Sequence, residues 1–187
     1  MIDNPTLTEY HAFPTVFYEM QFDEDLMNLS RSELDFFKNV GCPSYVKDYY
    51  SSFNNPPNLQ VGSATSNILD SVCSTLSRQT DKSYVLGNSW VNYVPAGCTH
   101  DVHRHGDRMM MSAILYYDDI GKTEFFDPRI QIYNEAPEIV FAKRGKCVIF
   151  NGWLYHAMPR HEENVDRVTV AFNMTRAFTD MHSIESD

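Results

Sequence analysis

A chain of 187 residues, 43% hydrophobic and 21% charged, has the make-up of one globular domain with a sizeable core, which excludes a disordered chain. A formal net charge of −10 excludes non-specific grip on a nucleic-acid backbone, which needs clustered Lys and Arg, and no apolar run approaches the length of a membrane span. Aromatic residues at 13%, mostly Tyr and Phe, favour a β-rich core.

In chain order, a short aromatic strand is predicted over 15–22. A helix follows over 23–39, with Asp23 able to cap it and Gly41 just past its end. The segment 51–62, with Asn54-Asn55-Pro56-Pro57, reads as a loop. A second helix over 65–77 carries Ile68, Leu69, Val72, Cys73 and Leu76 as an apolar stripe. After Gly87 the pattern changes to short strands with turn signals between them: 89–94, 102–105, 109–117, 123–126, 139–142, 147–150, 154–158 and 167–176. Their spacing predicts an antiparallel sandwich or barrel, with the helices covering one sheet. Residues 1–87 read as a support region, 88–178 as the core and 179–187 as a tail, all in one domain. Lys143-Arg144-Gly145-Lys146 reads as a charged turn between strands. Cys42, Cys73, Cys98 and Cys147 are widely spaced, with no C-x-x-C, and no signal-peptide pattern opens the chain. They read as free thiols in a reducing cytosol.

The last strand has an informative pattern. Arg167, Thr169, Ala171 and Asn173 share one face; Val168, Val170, Phe172 and Met174 share the other. A polar inner face makes sense if the sandwich encloses a binding cavity and the apolar face lies under the helices. His103-Arg104-His105 places two imidazoles at i and i+2, on one face of a strand. His156 follows 51 residues after His105, and Arg167 another 11 residues on. Three imidazoles can hold one Fe, Zn, Cu or Ni ion and leave positions open; an arginine supplies a fixed fork for a carboxylate. Together they suggest an oxygenase that uses an organic-acid cosubstrate.

From Ser89 to Thr175 the chain resembles the Fe(II)/2-oxoglutarate-dependent dioxygenases, in particular a bacterial and phage branch of prolyl-hydroxylase-like oxygenases. The resemblance rests on Ser89-Trp90-Val91-Asn92-Tyr93, on Gly97 six residues before His103, and on Ser112-Ala113-Ile114-Leu115-Tyr116-Tyr117. Further on it rests on Phe126-Asp127-Pro128-Arg129, Phe150-Asn151-Gly152-Trp153-Leu154-Tyr155-His156 and Arg167-Val168-Thr169-Val170-Ala171-Phe172-Asn173. It implies a mostly β fold, a double-stranded β-helix or jelly roll with the N-terminal helices packed on one sheet. It also implies bound Fe(II), 2-oxoglutarate and O2 as cosubstrates, and hydroxylation of a C–H bond with release of succinate and CO2. The substrate would be a peptide or protein residue or a small molecule, with no nucleic acid and no membrane involved.

By the same resemblance, His103 and His156 are the first and distal metal ligands. Arg167 pairs with the far carboxylate of 2-oxoglutarate, Thr169 supplies the hydroxyl of an R-x-S/T pattern, and Tyr93 hydrogen-bonds the cosubstrate. Most of the superfamily has a carboxylate where this chain has His105. Two triads stay open: His103, His105 and His156, or His105, Asp107 and His156. His100 and His161 read as loop residues near the mouth, with no ligand role. Two other classes of function fit the same residues. One is a three-histidine jelly-roll (cupin-like) metal enzyme without oxygen chemistry; the other is a non-enzymatic binding module.

Overall fold

The computed structural model describes residues 6–12, 15–38, 49–53, 62–106, 110–127 and 136–177. Eleven strands and two helices follow in chain order among these residues. They are β1 (Leu7–Ala12), β2 (Thr15–Gln21), α1 (Glu24–Lys38), β3 (Tyr50–Ser51), α2 (Ala64–Thr80), β4 (Tyr84–Val94) and β5 (His100–His103), then β6 (Met110–Tyr116), β7 (Lys122–Phe126), β8 (Glu138–Phe141), β9 (Lys146–Asn151), β10 (Tyr155–Met158) and β11 (Arg167–Arg176). Strand β1 has no counterpart in the sequence reading; it pairs antiparallel with β2 and forms one edge of the larger sheet. Cys42 and most of the loop over 51–62 lie outside the described residues.

The strands form two antiparallel sheets, ordered β1-β2-β9-β6-β11-β4-β3 and β5-β10-β7-β8. From β4 onward the chain passes back and forth between them, so β9-β6-β11-β4 faces β5-β10-β7-β8. That is the jelly roll, and the N-terminal residues extend its larger sheet at both edges. The helices begin where local chemistry allows. Asp23 Oδ1 accepts from the Leu26 N–H at 2.8 Å, and Ser63 Oγ accepts from the Ser66 N–H at 3.1 Å, each covering a donor that the first turn leaves unpaired. The Glu33 carboxylate adds a second cover on α2, accepting from the N–H groups of Ala64 and Thr65.

The helices cover the outer face of the larger sheet. Met27 and Leu34 of α1 and Ile68, Leu69, Val72 and Leu76 of α2 bury against Val91, Ala113, Leu115, Val168, Val170, Phe172 and Met174. All four apolar residues expected on the outer face of β11 lie there. Burying such side chains stabilises by about 1.5–3 kcal/mol each. A second cluster, including Phe17, Tyr116, Phe125, Val148 and Phe150, fills part of the space between the sheets. Cys73 and Cys147 are buried thiols outside any disulfide, and burial pushes the Cys73 thiol up to about 12.

The turn between β8 and β9 fastens the layers together. The Arg144 guanidinium donates to Glu24 Oε1 (2.6 Å) and Asn28 Oδ1 (2.7 Å) of α1 and to the Tyr117 carbonyl (2.6 Å). Gly145 next to it has φ +80°. Its N–H donates to the Tyr116 carbonyl and its carbonyl accepts from the Phe22 N–H, both at 2.9 Å. A Cβ there would meet the Gln21 side chain and lie 2.6 Å from the Phe22 carbonyl oxygen. Gly145→Ala should therefore cost about 2–3 kcal/mol and lower the melting temperature by about 5–10 °C, read by thermal denaturation.

Candidate metal centre

Strands β5 and β10 pair antiparallel, and His103 stands directly opposite His156. The ring centroids of the two are 4.3 Å apart. His105 lies beyond the end of β5, so the two histidines of the H-x-H do not share one regular strand as expected. The His105 N–H instead donates to the Gly152 carbonyl at 2.8 Å. Gly152 permits that approach, because a Cβ there would lie 3.1 Å from both the His105 and Met110 carbonyl oxygens. The His105 ring still reaches the cluster, with centroids 4.9 Å from His103 and 5.0 Å from His156. One ligating atom from each of His103, His105 and His156 lies within 4.8 Å of the others. Asp107 falls outside the described residues.

The donor set fits a metal ion. His103 Nδ1 lies 2.8 Å from the Asp101 carbonyl oxygen, and His156 Nδ1 lies 3.0 Å from that of Leu154. A carbonyl only accepts, so each Nδ1 carries the proton and each Nε2 keeps a free lone pair. Burial disfavours the imidazolium form throughout. It lowers His105 to about 4 and His156 well below the ordinary histidine value, and His103 shifts the same way. These shifts keep the lone pairs unprotonated at neutral pH. Phe125 and Phe150 pack against the His156 ring and hold it in place.

The cavity beside the three rings runs along the inner faces of β4, β6 and β11, lined among others by Trp90, Asn92, Ser112, Arg167, Thr169 and Asn173. The polar face of β11 thus lines a cavity, as its alternation implies. Arg167 is only 4% exposed. Its Nη2 donates to Thr123 Oγ1 at 3.0 Å, and the Tyr116 hydroxyl lies 2.8 Å from the same Thr123 oxygen. The guanidinium carbon is 5.5 Å from the Tyr116 ring centroid. Arg167 Nε has no acceptor, and no carboxylate forms an ion pair with Arg167 among the described residues. A buried charge in this state costs several kcal/mol unless an anion meets it. Trp90 Nε1 and Asn92 Oδ1 also lack partners and also line the cavity. These are unmet hydrogen bonds that a polar ligand can complete.

Thr169 lies on the cavity face, its Oγ1 3.5 Å from Asn92 Nδ2. Tyr93 does not. Asn92 pairs directly with Thr169 across β4 and β11, so its neighbour Tyr93 points the opposite way. The Tyr93 hydroxyl donates to Asp35 Oδ1 of α1 at 3.0 Å, and Arg31 lies over its ring. The helix layer holds Tyr93 away from the cavity, and its neighbour Asn92 lines the cavity instead.

His100 corrects the sequence reading in the other direction. It opens β5, lines the cavity and stacks on His103 with centroids 4.0 Å apart and planes at 20°. Burial and the nearby histidines lower it to about 3, and Arg167 adds to that shift, so it lies within electrostatic reach of the guanidinium. The signal available in the sequence was its spacing: His100 and His103 stand three apart in a strand too short and irregular for a parity rule. His161 lies in the connection to β11 and is buried. Its Nε2 donates to the Val94 carbonyl at 3.0 Å, and Glu163 lies 3.2 Å from its Nδ1. It takes no part in the three-histidine cluster.

The fold and site define a jelly-roll protein with three clustered imidazoles and an unpaired buried arginine on one cavity. Residues 88–173, somewhat under half of the chain, match the profile of the family described as "Putative 2OG-Fe(II) oxygenase". No curated protein matches the chain in sequence. Among solved structures it is similar to a Pseudomonas putida prolyl-4-hydroxylase, with 15% identity, TM-score 0.63 and coverage of 87% of this chain and 93% of that one. It is also similar to HygX from Streptomyces hygroscopicus with nickel and 2-oxoglutarate bound (14%, TM-score 0.65, covering 87% and 83%). A third is SnoN, a non-heme α-ketoglutarate-dependent epimerase from nogalamycin biosynthesis (10%, TM-score 0.66, covering 85% and 76%). At these identities the structural likeness establishes the shared fold.

Proposed function

We propose that the protein is an Fe(II)- and 2-oxoglutarate-dependent oxygenase that hydroxylates a C–H bond, releasing succinate and CO2. The observation that carries this reading is the meeting of the three-histidine cluster and the unpaired Arg167 on a single cavity. Fe(II) bound to the cluster supplies the oxygen chemistry when it and 2-oxoglutarate are present. Its ligands are His103, His105 and His156, with Asp107 as the competing member in place of His103. The Nδ1 hydrogen bonds of His103 and His156 aim two of the rings and keep the Nε2 lone pairs available.

Arg167 grips the far carboxylate of 2-oxoglutarate with its fork, and Nε supplies the second donor beside the Nη2 already fixed on Thr123. Thr169 and Asn92 line the path between that carboxylate and the metal. His100, stacked on His103 at the cavity, positions the cosubstrate in the part assigned by resemblance to Tyr93. Phe150 and Ile114 exclude water from the reacting groups. Hydroxylation of a peptide or protein residue is the favoured reaction, supported by the likeness to a prolyl-4-hydroxylase.

Anaerobic titration of the metal-free protein with Fe(II) and then 2-oxoglutarate tests this without a known substrate. The expected result is a saturable visible charge-transfer band from the chelated cosubstrate. Bound iron without the band would favour a metal enzyme without oxygen chemistry. No iron binding would favour a binding module.

A further inference from the structure

The cavity has a second polar end, far from Arg167. Arg167 and Asn173 both face the cavity from β11, six residues and about 20 Å apart along the strand. At the Asn173 end three polar side chains stand in a row on three adjacent strands. Ser112 Oγ donates to Asn173 Oδ1 at 2.7 Å, and Asn173 Nδ2 donates to Asn88 Oδ1 at 3.0 Å. Asn88 is exposed, so this end meets solvent, whereas Arg167 is buried.

Trp90 stands two residues along β4 from Asn88. Its ring centroid is 5.3 Å from that of His105, so this end adjoins the cluster. Trp90 is only 3% exposed, and its Nε1–H has no acceptor among the described residues. A buried donor left unmet costs about 1–3 kcal/mol, which an arriving acceptor recovers. Asn173 Oδ1 has two lone pairs, and Ser112 uses one. The end thus offers one donor and one acceptor on separate side chains. Trp90 pairs with Ala171, so Trp90 and Asn173 are diagonal neighbours, about 7–8 Å apart at their backbones. Among the described lining residues, Arg167 is the only one with a permanent charge, and it lies at the other end.

We propose that this end is a substrate subsite for an uncharged amide group, whose carbonyl accepts from Trp90 Nε1 and whose N–H donates to Asn173 Oδ1. A hydroxyl carries its donor and acceptor on one atom, so it reaches two separated side chains less well than an amide, which carries them on two. A carboxylate accepts only, and would leave Asn173 unmet; an ammonium donates only, and would leave Trp90 unmet. The proposal deepens the oxygenase reading and rests on it for the role of the adjoining metal cluster.

The chain has two tryptophans, so a ¹⁵N–¹H spectrum of the full-length protein with Zn(II) and 2-oxoglutarate added shows two indole peaks. Trp153→Phe assigns them. N-Acetylglycine N-methylamide should shift the Trp90 indole peak saturably. Acetate should bind at least about 10-fold more weakly, since it is charged and accepts only. Ethanol, with its donor and acceptor on one atom, should shift the peak far less. Asn173→Ala should weaken amide binding about 5- to 10-fold while keeping both indole peaks, which report the folded state. If that variant does not fold, Ser112→Ala loosens the same row one link further out and should weaken binding in the same direction. The subsite is overturned if the amide leaves the Trp90 peak unmoved, or if acetate or ethanol shifts it equally well. It is also overturned if a folded variant binds the amide as tightly as the parent. The charge-transfer band decides the oxygenase reading separately: a missing band with a shifted indole overturns the cosubstrate assignment and keeps the subsite.

Discussion

Arg167→Ala is expected to raise the 2-oxoglutarate concentration for half-maximal charge-transfer absorbance by roughly 100-fold or more, with Fe(II) affinity held within about 2-fold. The size follows from removing a buried, charge-assisted pair, an effect of about 2–5 kcal/mol. Loss of the arginine should not by itself unfold the protein. In the absence of ligand its Nε is unmet and no carboxylate forms an ion pair with it among the described residues, so its desolvation cost is only partly offset. Arg167→Met, which keeps the stem and discards the charge, should leave the thermal midpoint of the ligand-free protein unchanged or raise it. The stabilisation that 2-oxoglutarate gives the parent should then be missing from both variants. Equal loss of iron and cosubstrate binding would instead mean that Arg167 supports the fold and not the ligand.

The second large effect concerns the histidines. His156→Ala should lower Fe(II) affinity more than about 100-fold, beyond the 10–100-fold typical of changes to groups that merely support ligands. His103→Ala should do the same, and Asp107→Ala should leave iron stoichiometry intact, as measured by metal analysis after desalting. Iron lost from the Asp107 variant and retained by the His103 variant would transfer the ligand role to the carboxylate. Because the four cavity histidines are uncharged near neutral pH, any loss reflects a missing lone pair and not altered protonation.

Most of the architecture was legible because its signals are periodic. The apolar stripe of α2 is buried at all five expected positions. The alternation in β11 correctly separated a cavity face from a helix-covered face. Tyr93 was misplaced because motif likeness ignores parity. Asn92 stands opposite Thr169, and an assignment of both Thr169 and Tyr93 to one cavity conflicts with a two-residue period. His100 reads as a loop residue in the sequence because it sits at the start of a four-residue strand next to a turn, where alternation is too short to read. The edge strand β1 escaped because it holds Thr8, Glu9, Tyr10 and His11 in place of a clear apolar run. The row formed by Ser112, Asn173 and Asn88 depends on three strands meeting in register, which no single segment reveals.

Strand β11 is buried without a break from Arg167 to Met174. Most strands in a sandwich have a wet side on which substitutions can accumulate without consequence, and this stretch has none. Its alternate positions are constrained by different demands: one set by adhesion to the helical layer, the other by what enters the cavity. Drift along this strand is therefore closed to the protein on both sides. New substrate preferences would have to arise on β4 and around the mouth, where exposed positions such as Asn88 leave room for change.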